Sequence, residues 1–526
     1  MTESAKVTIK EFDGTQLNPN ITSTTAYFAG MFEKGPVNTP IIISSARQFK
    51  NIFGRALPIN INEWYQVYNF LQYPEQSSIL VTRAIGDESY NACCSKPFNT
   101  EKLKIKDYSE FLENENTFLE ANNFIKVAAR NPGEWGNLLE VCIFTSKEFN
   151  KNKEIKKGFF AKNLTRSINP GYYFIAVFRK DLLVESFNIK FDDIETINRT
   201  SNYIYLKQKF LDYKIYDGNL YWVNGDELLA DGNLPHDLKP VFYGTNSLKL
   251  SGGYTEEPGI VDVVDSYNLV DNKEQYQFSM IIANERFPKA AVNLAENRKD
   301  CIAIVGSPKN ANTLEQNLAY ISDLNSGYTY YVSNYKKQYD EFSQKHFWCN
   351  FAGDIAGLRA KLIETHGNSE SHCKIIYNLL NIEQIEQNYS LALRDIFANN
   401  NINTIVKNTN NYTVLGEFLL TENTTRDFTT RLILNDIETK CDKTARYFVF
   451  EFNDDYSRAA LKSNLKLILE SAKASNEIED YMIVCDITNN NEADIGKNKL
   501  ICDVYVKPKF LINELHLRFT ALRDFE

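Results

Sequence analysis

Histidine is scarce in this 526-residue chain, and its nine cysteines include no C-x-x-C pair. Structural zinc sites usually need paired cysteines or several histidines, so the composition argues against a zinc-dependent fold. His366, His372 and Cys373 do lie together in the segment THGNSESHC. This segment is either a zinc site or an ordinary surface loop, and its polar sequence favours the surface loop. We expect the cysteines to be reduced, buried thiols.

Basic excess and long apolar runs are also missing. The net charge of −10 argues against a nucleic-acid coat or a membrane-surface binder. No run of 18 apolar residues occurs, which excludes a membrane span, and the N-terminal sequence MTESAKVTIKEFDG lacks the regions of a signal peptide. We therefore expect a protein that is not secreted, does not bind nucleic acid and does not insert into a membrane.

The short motifs of common enzymes are absent as well. Neither G-x-G-x-x-G, G-x-x-x-x-G-K-[ST], G-x-S-x-G nor H-E-x-x-H occurs. Carboxylates cluster at 192–195 and 453–455, but we interpret the first group as a solvated loop and the second as a helix start favoured by the helix dipole. The sequence predicts no catalytic residue, metal ligand or cofactor. A nucleophile paired with a distant histidine stays open.

The length suggests about three or four domains of mixed α+β and α/β class. Residues from about 90 to 245 are rich in Lys and Asn and contain runs typical of strands, which predicts an inserted β-rich domain ending at LKLSGGY. The segments FSMIIAN, KAAVNLAENRKD and CIAIVGSP then follow in the order strand, helix, strand. This order predicts a small α/β unit.

One of the four tryptophans lies in the turn NPGEWGN, residues 131–137. Trp gains most from burial and Gly permits sharp backbone geometry, so the pair favours a structural corner. A binding loop is the alternative.

The two ends of the chain alternate apolar and polar residues. Val7 and Ile9 predict a short strand that needs a distant partner, and Leu515, Leu517 and Phe519 predict a final strand with one apolar face. Before that strand, residues 454–473 have the period of an amphipathic helix capped by Asn453 or Asp454.

Three cations recur every four residues on this helix, at Arg458, Lys462 and Lys466. They predict a charged face, which is either simply solvated or turned towards an acidic partner.

Several motifs together resemble the tail sheath proteins of contractile bacteriophages. They are AGMFEKGPVNTPIIISSARQFKNIFG near the N-terminus, AARNPGEWGNLLEV at the start of the insertion, and FVFEFNDDYSRAALKSNL, YMIVCDITNNN and VYVKPKFLINELHLRFTA near the C-terminus. The segment from Asn334 to Leu362 is similar to a region of large sheath proteins from phages with long contractile tails. By this resemblance, the Trp turn is a structural corner of the insertion.

The resemblance implies a domain order. The expected units are an extended arm at 1–20, a discontinuous sheath core at 21–90 and 336–435, a β-rich outer domain at 91–245, an α/β middle domain at 246–335, and a tube-proximal C-terminal domain with a strand arm at 436–526.

The resemblance also implies a function without catalysis. Copies would form a helical sheath around the tail tube protein, contact baseplate and tail terminator proteins, and contract to drive the tube through the host envelope. The protein would be made in the host cytoplasm and reside in the virion. The strands at both ends would pair with neighbouring subunits, and Arg458, Lys462 and Lys466 would face the tube. The sheath of a related secretion or bacteriocin machine is the nearer alternative, and a multidomain α/β enzyme is the remote one.

Overall fold

A computed structural model of the chain describes most of its length. The described residues are 24–96, 103–115, 124–145, 172–180, 182–190, 194–206, 213–216, 219–222, 248–408, 411–422, 426–490 and 498–511.

Helices and strands both occur throughout the described residues. The strands are β1 Ala26–Gly30, β2 Ile41–Ile43, β3 Ile79–Arg83, β4 Cys93–Lys96, β5 Phe124–Ala129, β6 Leu139–Thr145, β7 Tyr172–Arg179, β8 Leu182–Lys190, β9 Ile204–Leu206, β10 Tyr213–Tyr216, β11 Asn219–Trp222, β12 Leu248–Lys249, β13 Met280–Ile282, β14 Ile302–Gly306, β15 Thr329–Ser333, β16 Tyr335–Asp340, β17 Lys345–Asn350, β18 Gln384–Ile385, β19 Asn403–Lys407, β20 Tyr412–Leu415, β21 Ile478–Val484 and β22 Asp503–Pro508. The α-helices are α1 Ala46–Phe53, α2 Ile61–Phe70, α3 Tyr108–Glu115, α4 Ile194–Thr200, α5 Ile260–Asn268, α6 Pro288–Arg298, α7 Leu314–Ile321, α8 Ala352–His366, α9 Leu391–Asn399, α10 Phe428–Ala445 and α11 Asp455–Ala474.

A mostly parallel sheet forms the centre of the molecule. Its strand order in the described residues is β2-β3-β1-β13-β14-β15-β19-β20, with antiparallel pairs only at the two ends. Strands such as β1 and β14 are buried along their whole length, because helices cover both faces of a parallel sheet. Helices α2 and α8 pack on one face and α5, α6 and α9 on the other.

The predicted order of strand, helix and strand is confirmed. Strand β13, helix α6 and strand β14 follow each other, and β13 pairs parallel to β14. The same sheet also contains β1 to β3 and β19, so residues that the resemblance divides between the core and middle domains share one sheet.

The inserted region is rich in strands, as predicted. Its described residues include a four-stranded sheet in the order β12-β6-β7-β8 and a three-stranded sheet in the order β4-β5-β9. The segment RKD between two strand-like runs of this region predicts a hairpin turn. The hairpin is present, since β7 and β8 run antiparallel with Arg179 opposite Leu182.

The Trp turn is the structural corner that the sequence predicts. Trp135 is 2% exposed and lies in a short 3-10 helix, Glu134–Leu138. A Cβ on Gly136 would lie 2.7 Å from the Cβ of Ala129, so only glycine lets the turn approach β5.

This corner also meets the central sheet's first loop. The Lys34 ammonium lies 4.3 Å from the centre of the Tyr203 ring and 5.9 Å from that of Trp135. Next to it, the Glu33 carboxylate is paired with Arg55 of the core at 3.3 Å and with Arg179 of the insertion. The insertion is therefore fixed to the core by charge as well as by packing. Within the described residues, every helix is too short or too polar to cross a membrane.

Candidate assembly surface

Two helices and a strand pair build the C-terminal region. Helix α11 packs Leu461, Leu465 and Leu469 against α10 and the β21–β22 pair. These leucines recur at the spacing that predicted the amphipathic helix, and that prediction is confirmed.

The carboxylates at 453–455 start this helix. Asp454 is the N-cap, and its side chain accepts a hydrogen bond from the backbone N–H of Ser457 at 2.8 Å. This bond lowers the pKa of Asp454, because it stabilises the charged form. The interpretation as a helix start is confirmed.

The other carboxylate group, at 192–195, is described only in part. Glu195 is half-exposed and forms an ion pair with Arg199 one turn along α4. Asp192 and Asp193 lie outside the described residues.

The three cations of α11 do not share one exposed face. The side chain of Arg458 is only 7% exposed, Lys462 is half-buried and Lys466 is exposed. Arg458 donates to Asn453 Oδ1 at 2.6 Å and to Asp455 Oδ1 at 2.6 Å. A four-residue step turns a helix by about 400°, so each cation is rotated by about 40° from the last, and the row starts on the buried side. The expectation of one charged face is therefore wrong for Arg458.

Apolar side chains occupy the exposed surface beside this row. Four aromatic side chains here are more than four-fifths exposed: Tyr447 84%, Phe450 103% and Phe452 84% in the loop between α10 and α11, and Tyr456 82% in the first turn of α11. Leu467 on α11 is 69% exposed. Exposed aromatic groups of this size mark interaction sites in soluble proteins.

The β21–β22 pair offers a second surface for assembly. In the described part of the chain it is a two-stranded sheet, so the outer edge of each strand carries backbone groups that no third strand pairs. One face packs on α11, while Met482 and Tyr505 on the other are 55% and 54% exposed. Such edges suit pairing with a strand from another chain.

The residues of the predicted exchange strands lie outside the described part of the chain. They are Val7 and Ile9 in the arm, and Leu515, Leu517 and Phe519 near the C-terminus.

The segment THGNSESHC is not a surface loop throughout, and that interpretation is corrected for His372. His372 is fully buried, with Nε2 3.2 Å from the Tyr330 hydroxyl and Nδ1 3.3 Å from Glu417 Oε1. The loop lies inside because Arg359 of α8 donates to the carbonyl of Asn368 at 2.5 Å and so holds it against the core. His366 lies apart, at the exposed end of α8.

His372, Cys373 and Glu417 bring possible metal ligands within 4.8 Å of one another. The carboxylate oxygens of Glu417 already accept from the Thr429 backbone N–H at 3.1 Å and from the hydroxyls of Thr429 and Ser371. Burial alone would raise the pKa of Glu417, but His372 and Arg359 outweigh it and lower that pKa to about 2. These bonds describe a charged structural network better than a metal site.

The carboxyl ends of the parallel strands are the place where open α/β sheets bind ligands. Here buried side chains fill that edge. The Glu285 carboxylate accepts from Asn62 at 3.2 Å, Asn350 at 3.4 Å and the Tyr335 hydroxyl. Burial raises the pKa of Glu285 and of the neighbouring Glu63, whose carboxylate accepts the Met31 N–H. These carboxylates connect loops of the core.

Residues 421–521 match the family described as the phage tail sheath C-terminal domain. The matched residues include α10, α11, β21, β22 and the exposed aromatic loop.

A larger part of the chain is similar to curated tail sheath proteins. One of them is the tail sheath protein of Enterobacteria phage T4, with 24% identity over an alignment of 447 residues; the match covers 75% of this chain and 64% of the T4 protein. The chain therefore spans a little under two thirds of that relative.

Solved structures share the fold. The sheath tail protein from Listeria innocua superimposes with a TM-score of 0.55 at 11% identity, covering 92% of this chain and 95% of that one. The contracted helical sheath of the anti-feeding prophage gives a TM-score of 0.50 at 10% identity and covers 99% of both chains. The mixed α+β and α/β multidomain fold class predicted from the sequence is confirmed.

Sequence reasoning missed the exposed aromatic loop and the partner of His372. Five of the ten residues from Tyr447 to Tyr456 are aromatic, and this density just before a helix cap was the available signal. Glu417 lies 45 positions after His372, and no local pattern connects them.

Proposed function

We propose that the chain is the structural subunit of a contractile phage tail sheath, which polymerises helically around the tail tube and contracts to drive the tube through the host envelope. The match of residues 421–521 to the sheath C-terminal domain carries this proposal. The work of contraction would come from the difference between two sets of subunit contacts, without catalysis.

The strands at both chain ends would connect neighbouring copies. Val7 and Ile9 of one copy, and Leu515, Leu517 and Phe519 of another, would pair with the open edges of β21 and β22. The two-stranded sheet supports this because it offers two edges and a half-exposed apolar face. Contacts of this head-to-tail kind produce open helical polymers.

The domain order follows the same proposal. The arm at 1–20, the core at 21–90 and 336–435 and the middle domain at 246–335 would form the wall of the sheath, the insertion at 91–245 would point outward, and residues 436–526 would lie next to the tube. Lys462 and Lys466 would face the tube, and Arg458 would act from inside by holding the loop before α11.

Further partners would be the baseplate and tail terminator proteins, and the sheath would reside in the virion after synthesis in the host cytoplasm. The sheath of a contractile injection system is the alternative. The higher identity to the T4 protein, 24% against 10% for the anti-feeding prophage sheath, favours a phage tail.

Negative-stain electron microscopy of the purified chain at rising concentration tests the polymer. We expect hollow cylinders with helical striations from the full chain. A variant without residues 1–12 should stay folded and monomeric, because a neighbour's sheet would lack its added strand. Cylinders formed equally well by the truncated chain would refute strand exchange through the arm, and a full chain that stays monomeric even with tail tubes would refute the sheath.

A further inference from the structure

Three cysteines of the chain meet in the core of the C-terminal region. Cys441 lies on α10, Cys485 directly follows β21 and Cys502 directly precedes β22. All three are free thiols and belong to the same apolar cluster, which also contains the leucines of α11. The contacts proposed for sheath assembly use none of these thiols.

Cys485 and Cys502 are opposite each other at one end of the β21–β22 pair. The last residues paired in this antiparallel register are Val484 and Asp503, so the next two in line are the cysteines. Asn489 keeps the strands together at this end, since its Nδ2 donates to the carbonyl of Val484 at 2.8 Å and to Asp503 Oδ2 at 2.9 Å. Opposite residues of such a pair have Cα atoms about 4.5–5.5 Å apart, within the range of about 4.4–6.8 Å that disulfides adopt. The backbone therefore has the spacing that a disulfide between the two cysteines needs.

A buried asparagine holds the two segments beyond the cysteines as well. Asn490 is fully buried, and its Nδ2 donates to the carbonyls of Asp486 at 3.0 Å and Ile501 at 2.8 Å. The Ile501 N–H donates back to Asn490 Oδ1 at 2.7 Å. Because Asp486 and Ile501 are the immediate neighbours of the cysteines, hydrogen bonds hold the two segments together on both sides of the pair. A disulfide between Cys485 and Cys502 would therefore close with little backbone movement.

The two thiols differ in access and in charge environment. Cys485 is 2% exposed, whereas Cys502 is half-buried and so can be reached from solvent. Burial raises the pKa of Cys502 to about 12, and the neighbouring Cys485 adds to the rise. Burial also raises the pKa of Cys485, but the Cys502 thiol and the cations Arg458 and Lys462 oppose that rise. Cys502 is therefore the thiol that a reagent meets first, and Cys485 is the one whose thiolate is better stabilised.

We propose that Cys485 and Cys502 form a redox-active pair, which closes to a disulfide when the folded chain meets a low-molecular-weight disulfide. Cys502 attacks one sulfur of the reagent as a thiolate and expels one small thiolate, which leaves a mixed disulfide. The Cys485 thiolate then attacks the Cys502 sulfur and expels the second small thiolate. The two cysteines lose two protons and two electrons in total, and the reagent is reduced to two thiols. Cys441, on α10, takes no part.

The crosslink would close residues 485–502 into a loop within one copy of the chain. It lies between the two strands, so the outer edges of β21 and β22 stay available for pairing with other chains. Disulfides form after a protein leaves the reducing cytoplasm. A virion component meets that change when it is released from the host, so closure at release would stabilise the sheath at its assembly surface. This timing rests on the proposed function, whereas the crosslink itself is a property of the single chain.

Glutathione titration of the full-length chain tests the pair. The reduced protein, either folded or unfolded in urea, is equilibrated with rising ratios of oxidised to reduced glutathione, the free thiols are alkylated, and the protein is digested with trypsin. Cleavage after lysine and arginine places the three cysteines on separate peptides, 441–443, 474–497 and 500–509. We expect mass spectrometry to find 474–497 linked to 500–509, and the folded chain to reach half-closure at a ratio at least about tenfold lower than the unfolded chain.

Cys441→Ser is the matched control, because it removes the third thiol of the cluster and should close the pair as wild type does. Cys485→Ser should instead stop at a mixed disulfide on Cys502, since no partner thiol resolves it. A link from peptide 441–443 to 500–509, or closure that is no easier in the folded chain than in urea, overturns the inference and leaves the sheath function intact. A chain that closes the pair but neither polymerises nor binds tail tubes overturns the proposed function and leaves the disulfide standing.

Discussion

Glu417 is a buried carboxylate that contacts several segments of the chain. It accepts hydrogen bonds from Ser371 and Thr429 and faces the imidazole of His372, with Arg359 nearby. Three separate segments, after α8, after β20 and at the start of α10, therefore meet at one charge. A buried charge with full hydrogen bonding fixes an arrangement that apolar packing alone leaves loose.

The first prediction concerns Glu417→Gln. The folded pKa of about 2 lies below the value of about 4.3 in an unfolded chain, so the carboxylate stabilises the fold above pH 4 and stops doing so as the pH falls towards 2. We expect the free energy of unfolding of the variant to be about 3 kcal/mol lower than that of wild type at pH 7. Below pH 4 this difference should become smaller.

Thermal unfolding of the full chain between pH 7 and pH 2.5 measures this difference. Glu422→Gln is the matched control, because this exposed carboxylate lies five residues further on. A stability gap that is the same at every pH would mean that Glu417 acts through packing rather than charge.

At the scale of elements, helix α8 lies unusually close to α2. The N–H of Gly353 donates to Gln66 Oε1 at 2.7 Å, and a Cβ on Gly353 would lie well inside the van der Waals radius of the Gln66 carbonyl oxygen. Gly357 one turn later meets the Phe70 backbone in the same way. Glycine weakens a helix, so these two positions indicate that close contact is worth more than helix propensity here.

The second prediction is that Gly353→Ala separates these helices. We expect the free energy of unfolding to fall by about 1–3 kcal/mol. The inserted methyl group would clash with the backbone of Gln66, which cannot move aside as a flexible side chain could. Gly327→Ala, where nothing lies within 4 Å of the new Cβ, should stay within about 0.5 kcal/mol of wild type. Urea denaturation of the chain and both variants measures the effect, and equal transitions would show that α8 can shift at little cost.

Elements were predictable from the sequence where the signal is periodic and local. The α11 helix, the β13–α6–β14 unit and the β7–β8 hairpin follow from apolar spacing and turn residues, and the structure contains each of them. The direction of long side chains was harder to predict. Arg458 sits at a charged position in the pattern but turns inward, because Asn453 and Asp455 offer acceptors within its reach.

Contacts between distant segments could not be predicted from local sequence patterns. Burial of His372 depends on Arg359 and Glu417, and no single stretch contains all three. The exposed aromatic loop was missed for the opposite reason, since aromatic residues normally predict a core.

At the scale of the whole molecule, a charged contact joins the insertion to the first loop of the central sheet. Glu33 is paired with Arg179 from the insertion, and Lys34 beside it lies over the Tyr203 ring at 4.3 Å. Chain connections at residues near 90 and 250 complete the joint, with the Tyr90 and Tyr254 backbones bonded at 2.8 Å. If the insertion points outward from a sheath, this joint transmits any force on it to the wall.

The third prediction is that Arg179→Ala loosens the insertion without unfolding the core. Glu33 keeps Arg55 as its partner, so the core side of the pair survives, while a charge-assisted hydrogen bond worth about 1.5–3 kcal/mol is lost on the insertion side. Hydrogen exchange followed by mass spectrometry should show about tenfold faster exchange in the Trp135 corner and in β7, with β13 and β14 unchanged. Arg199→Ala is the control, because the 66% exposed Arg199 is paired with Glu195 and Tyr108, both inside the insertion and away from the Glu33 contact. Faster exchange in β13 and β14 as well would mean that the insertion and the central sheet open as one cooperative unit, and that the charged joint stabilises the whole molecule instead of a hinge.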